Sequence, residues 1–526
     1  MMLNRIVMTK KILSEDGVFF HHIDENEHQN ASVLLTDIFT EGNRIVDVVW
    51  KNSSKNGENY VSMQHEYIIG AVKNIAVNKG NWKERKEGLD EIYKAFDGFR
   101  KNHGTDWKAI HRDALDFYNS FPDSNLIKDS SHYSWMDERG VYFPDNISKP
   151  ANGYFYDVIH PITQKPCKKP AGGWRFIEKT MLEKIKNNEI HFGDDHTTVP
   201  NNKTYLKNTE EQSLTSIKYK DGRIASNLLK NMFGEKDPFK NPKDVDLSIR
   251  ILKALETIGN NILDFFGGSG TTGHAVINLN REDDGKRKYI LVEMGAHFDT
   301  VTKPRIQKVI YSKDWKDGKP VSREGISQCF KYLRLESYED TLNNLNLVRS
   351  QAHDDLFAQA PEIKEDYLLH YMLDIESKGS LLSVNAFQKP FDYTLKIATD
   401  SAGAYQRKKI DLVETFNYLL GLRVKHIDQQ RKQGFVTVTG TLPTGETCLV
   451  IWRDMSKIDY EGISRLCVRL AINPADNEFD VVYINGDHNI PTVLTQTSEE
   501  GGATRVLKLR QIEHEFLARM FTVEDV

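Results

Sequence analysis

Apolar positions near the N-terminus recur first at helical and then at strand spacing. Leu3, Ile6, Val7, Ile12 and Leu13 make one helical stripe, residues 14–17 interrupt it, and Val-Phe-Phe-His-His-Ile at 18–23 reads as a strand. A helix over about 28–39 and strands over 45–50 and 66–72 continue the alternation, as in one part of a doubly wound sheet that opens, unusually, on a helix. From about 81 to 235 the pattern is irregular: helical periodicity at 89–102 and 107–117, a strand at 154–159, and turn-rich loops between them. Regular alternation returns with a helix over 245–255 and strands over 262–266 and 288–293. Beyond about 321 the pattern predicts helices over 337–352 and 365–375, and a hairpin, 435–439 with 447–452, turning at Pro443, Thr444 and Gly445. A buried strand at 480–485 follows. The chain therefore reads as α/β: a core in two parts, 1–80 and 236–320, split by an irregular insert, 81–235, and followed by a separate α/β domain, 321–526.

The chemistry concentrates at the junction after the strand at 262–266. Asp264, Phe265, Phe266, Gly267, Gly268, Ser269, Gly270 and Thr271 carry that strand through a glycine-rich turn into a helix. Small residues let backbone approach a ligand closely, and the helix start offers free N–H groups at a positive dipole end. Glu293, at the end of the next strand, lies about twenty residues beyond Gly273, the spacing of a carboxylate that holds ribose hydroxyls. The unit predicts a nucleoside cofactor, and two classes fit. Gly268, Gly270 and Gly273 match G-x-G-x-x-G, which points to NAD. Asp264 and the paired phenylalanines point instead to S-adenosylmethionine, since an aromatic face stabilises a desolvated cation such as a sulfonium.

Charge and composition narrow the partners. The chain of 526 residues has a net charge of −5, yet residues 149–243 hold 17 Lys/Arg and 11 Asp/Glu. That section fits a localised phosphate-contacting surface or an ordinary solvated face. Within it Lys165, Lys168, Lys169, Trp174 and Arg175 combine cations, an aromatic and close-approach glycines, a loop able to lie on a nucleic-acid backbone. There is no apolar run near the length of about twenty needed for a membrane span, and no secretory leader pattern at the start. Four scattered cysteines suggest neither a disulfide framework nor a zinc site, so a reducing cytoplasm is expected. His21 and His22 point to opposite faces of a strand, and no metal is expected.

Several stretches in order resemble the modification (Mod) subunits of type III restriction–modification systems. The opening helix and residues 16–27, His65-Glu66-Tyr67-Ile68, Arg139-Gly140-Val141-Tyr142, Gly173-Trp174-Arg175-Phe176, Ile190-His191-Phe192-Gly193, residues 239–245 and the glycine turn carry the resemblance. Residues 334–342 and 413–422 extend it toward the C-terminus. It implies an adenine-N6 DNA methyltransferase with a Rossmann-like S-adenosylmethionine sheet interrupted by a target-recognition domain, acting on double-stranded DNA by base flipping, as a homodimer with a restriction (Res) subunit. Cytosine N4 poses the same chemical problem as adenine N6, so the motifs leave the target base open. By the resemblance Lys243 and Asn241 belong to a segment closing over the cofactor, and His65, Tyr67 and Asp24 border the target-base pocket. The family's catalytic run, Asp-Pro-Pro-Tyr or a variant, would precede the opening helix; no Pro-Pro pair occurs in these 526 residues. The expectation is a chain truncated ahead of its catalytic motif and first strand, with slowed methyl transfer.

Overall fold

The computed structural model describes residues 2–337 apart from 54–59, 123–124 and 258, then Asp340, Asn344 and 384–521 apart from 400–403, 473–477, 491–492 and 497–504. It divides into two compact units, Met1–Cys329 and Phe330–Val526.

In the first unit the opening stripe forms α1 (Met2–Ile12), followed by β1 (Val18–Ile23), α2 (His28–Phe39), β2 (Val48–Lys51) and β3 (His65–Val72). The insert supplies β4 (Lys83–Arg85), α3 (Leu89–His103), α4 (Trp107–Asn119), β5 (Trp135–Asp137), β6 (Gly140–Asp145), α5 (Glu178–Lys186), β7 (Ile190–His191), β8 (Asn201–Tyr205) and β9 (Glu211–Ser213). Then β10 (Ile217–Tyr219), α6 (Gly222–Phe233), α7 (Val245–Ala254), β11 (Asn261–Asp264), α8 (Thr271–Asp283), β12 (Lys288–Leu291), α9 (Lys303–Tyr311) and a short hairpin, β13 (Trp315–Lys316) and β14 (Lys319–Pro320), complete the unit. One sheet runs β1-β3-β2-β10, a second is the parallel pair β11-β12, and the insert has its own sheet, β5-β6-β8-β7. Residues 217–219, expected within the insert at 81–235, instead form β10 and pair in parallel with β2 of the core sheet.

Burial explains how these layers stack. Successive side chains of β1 point to opposite faces. Phe19 packs with Ala31, Leu35 and Phe39 of α2 and Ile6 of α1, while Phe20 packs with Trp50, Ile68 and the α7 residues Leu247 and Ile251. Helices thus cover both faces. The insert is tied to the core by the buried ion pair of Lys218 on β10 with Glu84 on β4, to which Thr215 also donates. Burial raises the Glu84 carboxyl, but Lys218 and Thr215 outweigh it and hold the group below its ordinary range. A charge so placed, with its bonds made, fixes register; removing one partner leaves an uncompensated ion.

One expected strand is absent. Residues 154–159 contribute only isolated bridges, Tyr154 with Trp174 and Ile159 with Pro166. Proline cannot donate to a ladder. At the other bridge a side chain on Gly153 would lie 2.4 Å from the Gly172 carbonyl, so that loop is a close glycine crossing rather than a continuing strand.

The second unit has β15 (Thr394–Ala398) paired with β16 (Tyr405–Lys409), then α10 (Leu412–Leu419), β17 (Arg423–Gln430), β18 (Phe435–Thr441), β19 (Thr447–Arg453), α11 (Gly462–Arg469), β20 (Val481–Ile484), β21 (Val493–Gln496), β22 (Arg505–Gln511) and α12 (Ile512–Phe521). Its main sheet has six strands, β17-β18-β19-β20-β22-β21. The expected hairpin is β18–β19, with Gly445 at φ 89° in its turn. The helices expected over 337–352 and 365–375 fall almost wholly outside the described residues.

Candidate cofactor site

The site is built on the crossing from β11 to α8. Gly268 and Gly270 sit at φ 50° and 84°, where a side chain is strained, and they turn the chain over the end of the strand. Gly273 has a different role: a side chain there would meet Ile306 Cδ1 at 2.6 Å and Leu291 Cδ1 at 3.0 Å, so its absence lets α8 lie directly on β12 and α9.

The two carboxylates hold the turn from either side. Asp264 accepts from the Phe266 amide (2.9 Å) and the Thr272 hydroxyl (2.7 Å). Glu293 accepts from the Gly268 amide (2.8 Å) through Oε2, and from the Met294 and Gly295 amides (2.9 and 2.8 Å) through Oε1. Burial pushes the Glu293 carboxyl up, but the Gly295 and Gly268 N–H groups and His297 more than offset this and hold it below its ordinary value. The His297 ring nitrogen Nε2 lies 3.4 Å from the same Oε2.

Beneath the turn lies a layer the sequence does not signal. The Arg305 guanidinium, fully buried, donates to the Ser269 carbonyl (3.2 Å) and hydroxyl (2.8 Å) and to the Thr271 hydroxyl (3.1 Å), and contacts His274 Nδ1 at 3.3 Å. Burial lowers the Arg305 pKa to about 9, and burial, then the Arg305 charge, holds His274 well below its ordinary range and neutral. Thr302, closing a π-helical turn (Phe298–Thr302), donates to the Gly268 carbonyl at 2.5 Å. Neither residue lies in a recognisable motif, and three-dimensional proximity alone brings them in.

Above the turn, Phe239 stands over Gly268 and meets His297 edge-on with ring centroids 5.0 Å apart. Lys243 pairs with Glu66 of β3 and lies over the Trp50 ring, while its carbonyl accepts from Thr271 at 3.2 Å. Phe266 is 45% exposed, with the Arg5 guanidinium 4.4 Å from its ring centre; Phe265 lies inside, stacked toward Phe19 at 6.5 Å. A cleft of about 1630 Å³ runs along these groups, bordered by Asp264 to Ser269, Thr271, Phe239, Asn241 and Lys243, and by Asp24 at the end of β1. Gly270 and Glu293 act from behind its wall, and outside its border Tyr67 packs on both His65 (4.9 Å) and His28 (3.9 Å). Of the three residues expected beside a target base, then, only Asp24 reaches the cleft. His65 and Tyr67 belong to a ring cluster on β3.

The basic loop is divided as well. Lys165, Lys168, Lys169 and Arg175 are exposed, with Lys169 paired to Asp157 (2.8 Å) and Arg175 3.9 Å from Asp145. Trp174, expected at a nucleic-acid surface, is instead fully buried in a core with Ile147, Val158 and Met181, its indole N–H donating to the Tyr156 carbonyl. An indole is large and apolar with one donor, and the loop folds around it as its anchor.

The profile of the family described as DNA methylase matches residues 1–303, more than half of the sequence. The chain belongs to the DNA methylase family. Its relatives include the Mod subunit of the Escherichia coli type III restriction-modification enzyme EcoP15I, 34% identical over 55% of this chain and 45% of the relative. The Mod subunit of the Salmonella typhimurium type III enzyme StyLTI is 28% identical over 57% and 41%. The Klebsiella pneumoniae type II methyltransferase M.KpnI is 24% identical over 56% and 66%. The chain thus spans about half the length of the type III relatives it matches. Among its described residues no helix is long and apolar enough to cross a membrane.

Proposed function

We infer that this DNA methylase is a type III modification polypeptide that binds S-adenosylmethionine over the glycine turn. Its reaction is methylation of adenine N6 in a short double-stranded DNA site. The observation that carries the reading is the Glu293 carboxylate bonded to the Gly268 amide, an acid held at the rim of a glycine turn inside a family of DNA methylases. The residues fit the cofactor: the Glu293 carboxylate is fixed at the turn as the acid for ribose hydroxyls, the Gly267 and Gly268 backbone borders the cleft, and the partly exposed ring of Phe266 offers a face to a cation. When bound, S-adenosylmethionine supplies an electrophilic methyl group.

The protein's own part is positioning. Arg305, Thr302 and Asp264 fix the turn, Phe239 and Lys243 border it, and Asp24 lies where a base turned out of the duplex would enter the cleft. The adenine amine is a weak nucleophile because its lone pair is delocalised, and acceptors for its two N–H bonds have to localise it. A Rossmann-like core interrupted by a recognition domain at about 81–235, with exposed Lys165, Lys168, Lys169 and Arg175 on DNA phosphates, completes the reading. The proposal extends to a homodimer and to partnership with a Res subunit, which the type III relatives' names motivate.

Calorimetric titration of the full chain tests the cofactor. Saturable binding of S-adenosylmethionine, weakened in Glu293→Gln, is the expected result; saturable binding of NAD with none of S-adenosylmethionine would sink the reading. Transfer of labelled methyl from the cofactor to duplex DNA, mapped to adenine or cytosine, tests the reaction.

A further inference from the structure

The second unit carries a pair of cations that its own fold does not explain. Strands β15 and β16 form a two-stranded ribbon separate from the six-stranded sheet. On one face Leu395 and Ile397 are buried in the core that also holds Val436, Val438 and Trp452. Directly opposed residues of an antiparallel pair share a face. The register therefore puts Thr394 with Lys409, Lys396 with Arg407 and Ala398 with Tyr405 on the other face. Arg407, Lys409 and Tyr405 are exposed there, the tyrosine by 60%. Residues 394–409 hold four Lys/Arg against one Asp/Glu in a chain of net charge −5, so the positive excess is local.

Lys396 and Arg407 stand directly opposite each other, and like charges so placed destabilise a ladder. They are turned apart rather than compensated. The Lys396 ammonium lies 4.8 Å from the centre of the Tyr405 ring, and the Arg407 guanidinium donates to the Thr394 hydroxyl at 3.3 Å. Among the described residues neither forms an ion pair with a carboxylate, whereas Lys409 does, with Asp392 at 3.2 Å. The backbone beneath the cations is held firmly. The Lys396 amide donates to the Asn344 side-chain oxygen (2.8 Å), and the Asn344 side-chain nitrogen donates back to the Lys396 carbonyl (2.7 Å). The Ala398 amide donates to Asp340 at 2.8 Å. The outer edge of β15 is closed by these bonds, so Lys396 is presented on a strand fixed from both sides.

We propose that the exposed face of this ribbon is a phosphate-binding surface for duplex DNA, with one phosphate seated between Lys396 and Arg407. An anion there turns a repulsion into charge-assisted hydrogen bonds, and a guanidinium can bind phosphate through two of its N–H groups. Arg407 and Lys409, two residues apart on β16, are separated by roughly 7 Å, comparable to the spacing of successive phosphates along one strand. A two-stranded ribbon is of a size that the major groove admits. An acidic peptide is the rival occupant, but it lacks that regular repeat of charge. Phosphate contacts position without reading sequence, so the ribbon adds affinity for any duplex and leaves the choice of site to other residues. The anion site rests on the cation pair; only the choice of DNA as the polyanion draws on membership of the DNA methylase family.

The test is equilibrium binding of the full chain to two labelled duplexes of unrelated sequence over a series of salt concentrations. Lys396→Gln combined with Arg407→Gln is expected to weaken both duplexes alike, by at least about tenfold, and to lower the slope of log affinity against log salt by about two. Arg407→Lys, which keeps the charge, should retain most of the affinity. Removing like charges relieves the ribbon, so the double variant should unfold at a denaturant midpoint no lower than that of wild type. Lys396→Glu, which creates an opposite-charge pair with Arg407, should raise the midpoint of the second unit while weakening DNA at least as much. Unchanged affinity and slope in the double variant, or a lowered midpoint accompanying the loss, would overturn the surface. So would poly-glutamate binding more tightly than duplex through the same two residues, which would make an acidic protein the occupant. Titration of S-adenosylmethionine into the same proteins is scored separately: its failure in all of them, wild type included, removes the cofactor reading and leaves the ribbon result standing.

Discussion

Two pairs of parallel strands in this protein have opposite fates. In the C-terminal unit β19 and β20 carry Cys-Leu-Val-Ile-Trp and Val-Val-Tyr-Ile, and every one of those side chains is buried. In the first unit β11 and β12 carry Asn-Ile-Leu-Asp and Lys-Tyr-Ile-Leu, yet Leu263 is 37% and Ile290 54% exposed. The difference is neighbours. β19 and β20 lie inside a six-stranded sheet with strands on both sides, while β11 and β12 pair only with each other. One sheet is finished for stability; the other keeps apolar surface and peptide groups available at the place where the glycine turn begins. A two-stranded pair is marginal by itself, and here α8, with seven buried residues, carries its stability.

The largest effect that bears on this contrast is expected in the finished sheet. Trp452 is fully buried, stacked on Phe387 at 6.0 Å and edge-on to Phe416 at 5.9 Å. Trp452→Ala should lower the stability of the C-terminal unit by about 3–5 kcal/mol, read as a shift of one denaturation transition with S-adenosylmethionine affinity unchanged. A shift in cofactor affinity of tenfold or more would show that the two sheets are not separate in function. Next comes Gly273→Ala. On an exposed helix the change would stabilise by up to about 1 kcal/mol; against Ile306 and Leu291 it should instead cost about 1–3 kcal/mol. A stabilised variant would mean that α8 is free to move off β12.

These contrasts also mark what the sequence alone conveys. Helix α2 at 28–39 and the start of α3 at Leu89 follow from periodicity because each has one apolar face against one core. The glycine turn was legible because its demands are local: left-handed φ at Gly268 and Gly270 and no side chain at Gly273. The place of Glu293 beside the turn follows from its spacing after the glycines. Arg305 and Thr302 were not, because their partners lie 31 to 36 residues away and nothing in Lys-Pro-Arg at 303–305 marks a buried cation. Trp174 misled for the opposite reason: cations and glycines around an indole look alike whether the ring faces solvent or anchors the loop. The strand expected at 154–159 failed because apolar alternation does not reveal that glycines 153, 172 and 173 cross at backbone contact.

A smaller effect separates the cofactor turn from both sheets. Glu293→Gln keeps the shape but replaces one carboxylate oxygen with an amide donor facing backbone N–H groups. We expect S-adenosylmethionine to bind about tenfold more weakly, roughly 1.4 kcal/mol. The pH dependence has a definite sign. The folded carboxyl is held below its ordinary value, so its contribution to stability is present above the unfolded pKa and is lost as pH falls through the folded one. Wild type should therefore lose stability in the acid range by an increment that Glu293→Gln lacks. Equal acid sensitivity in the two proteins would show that Glu293 does not anchor the turn.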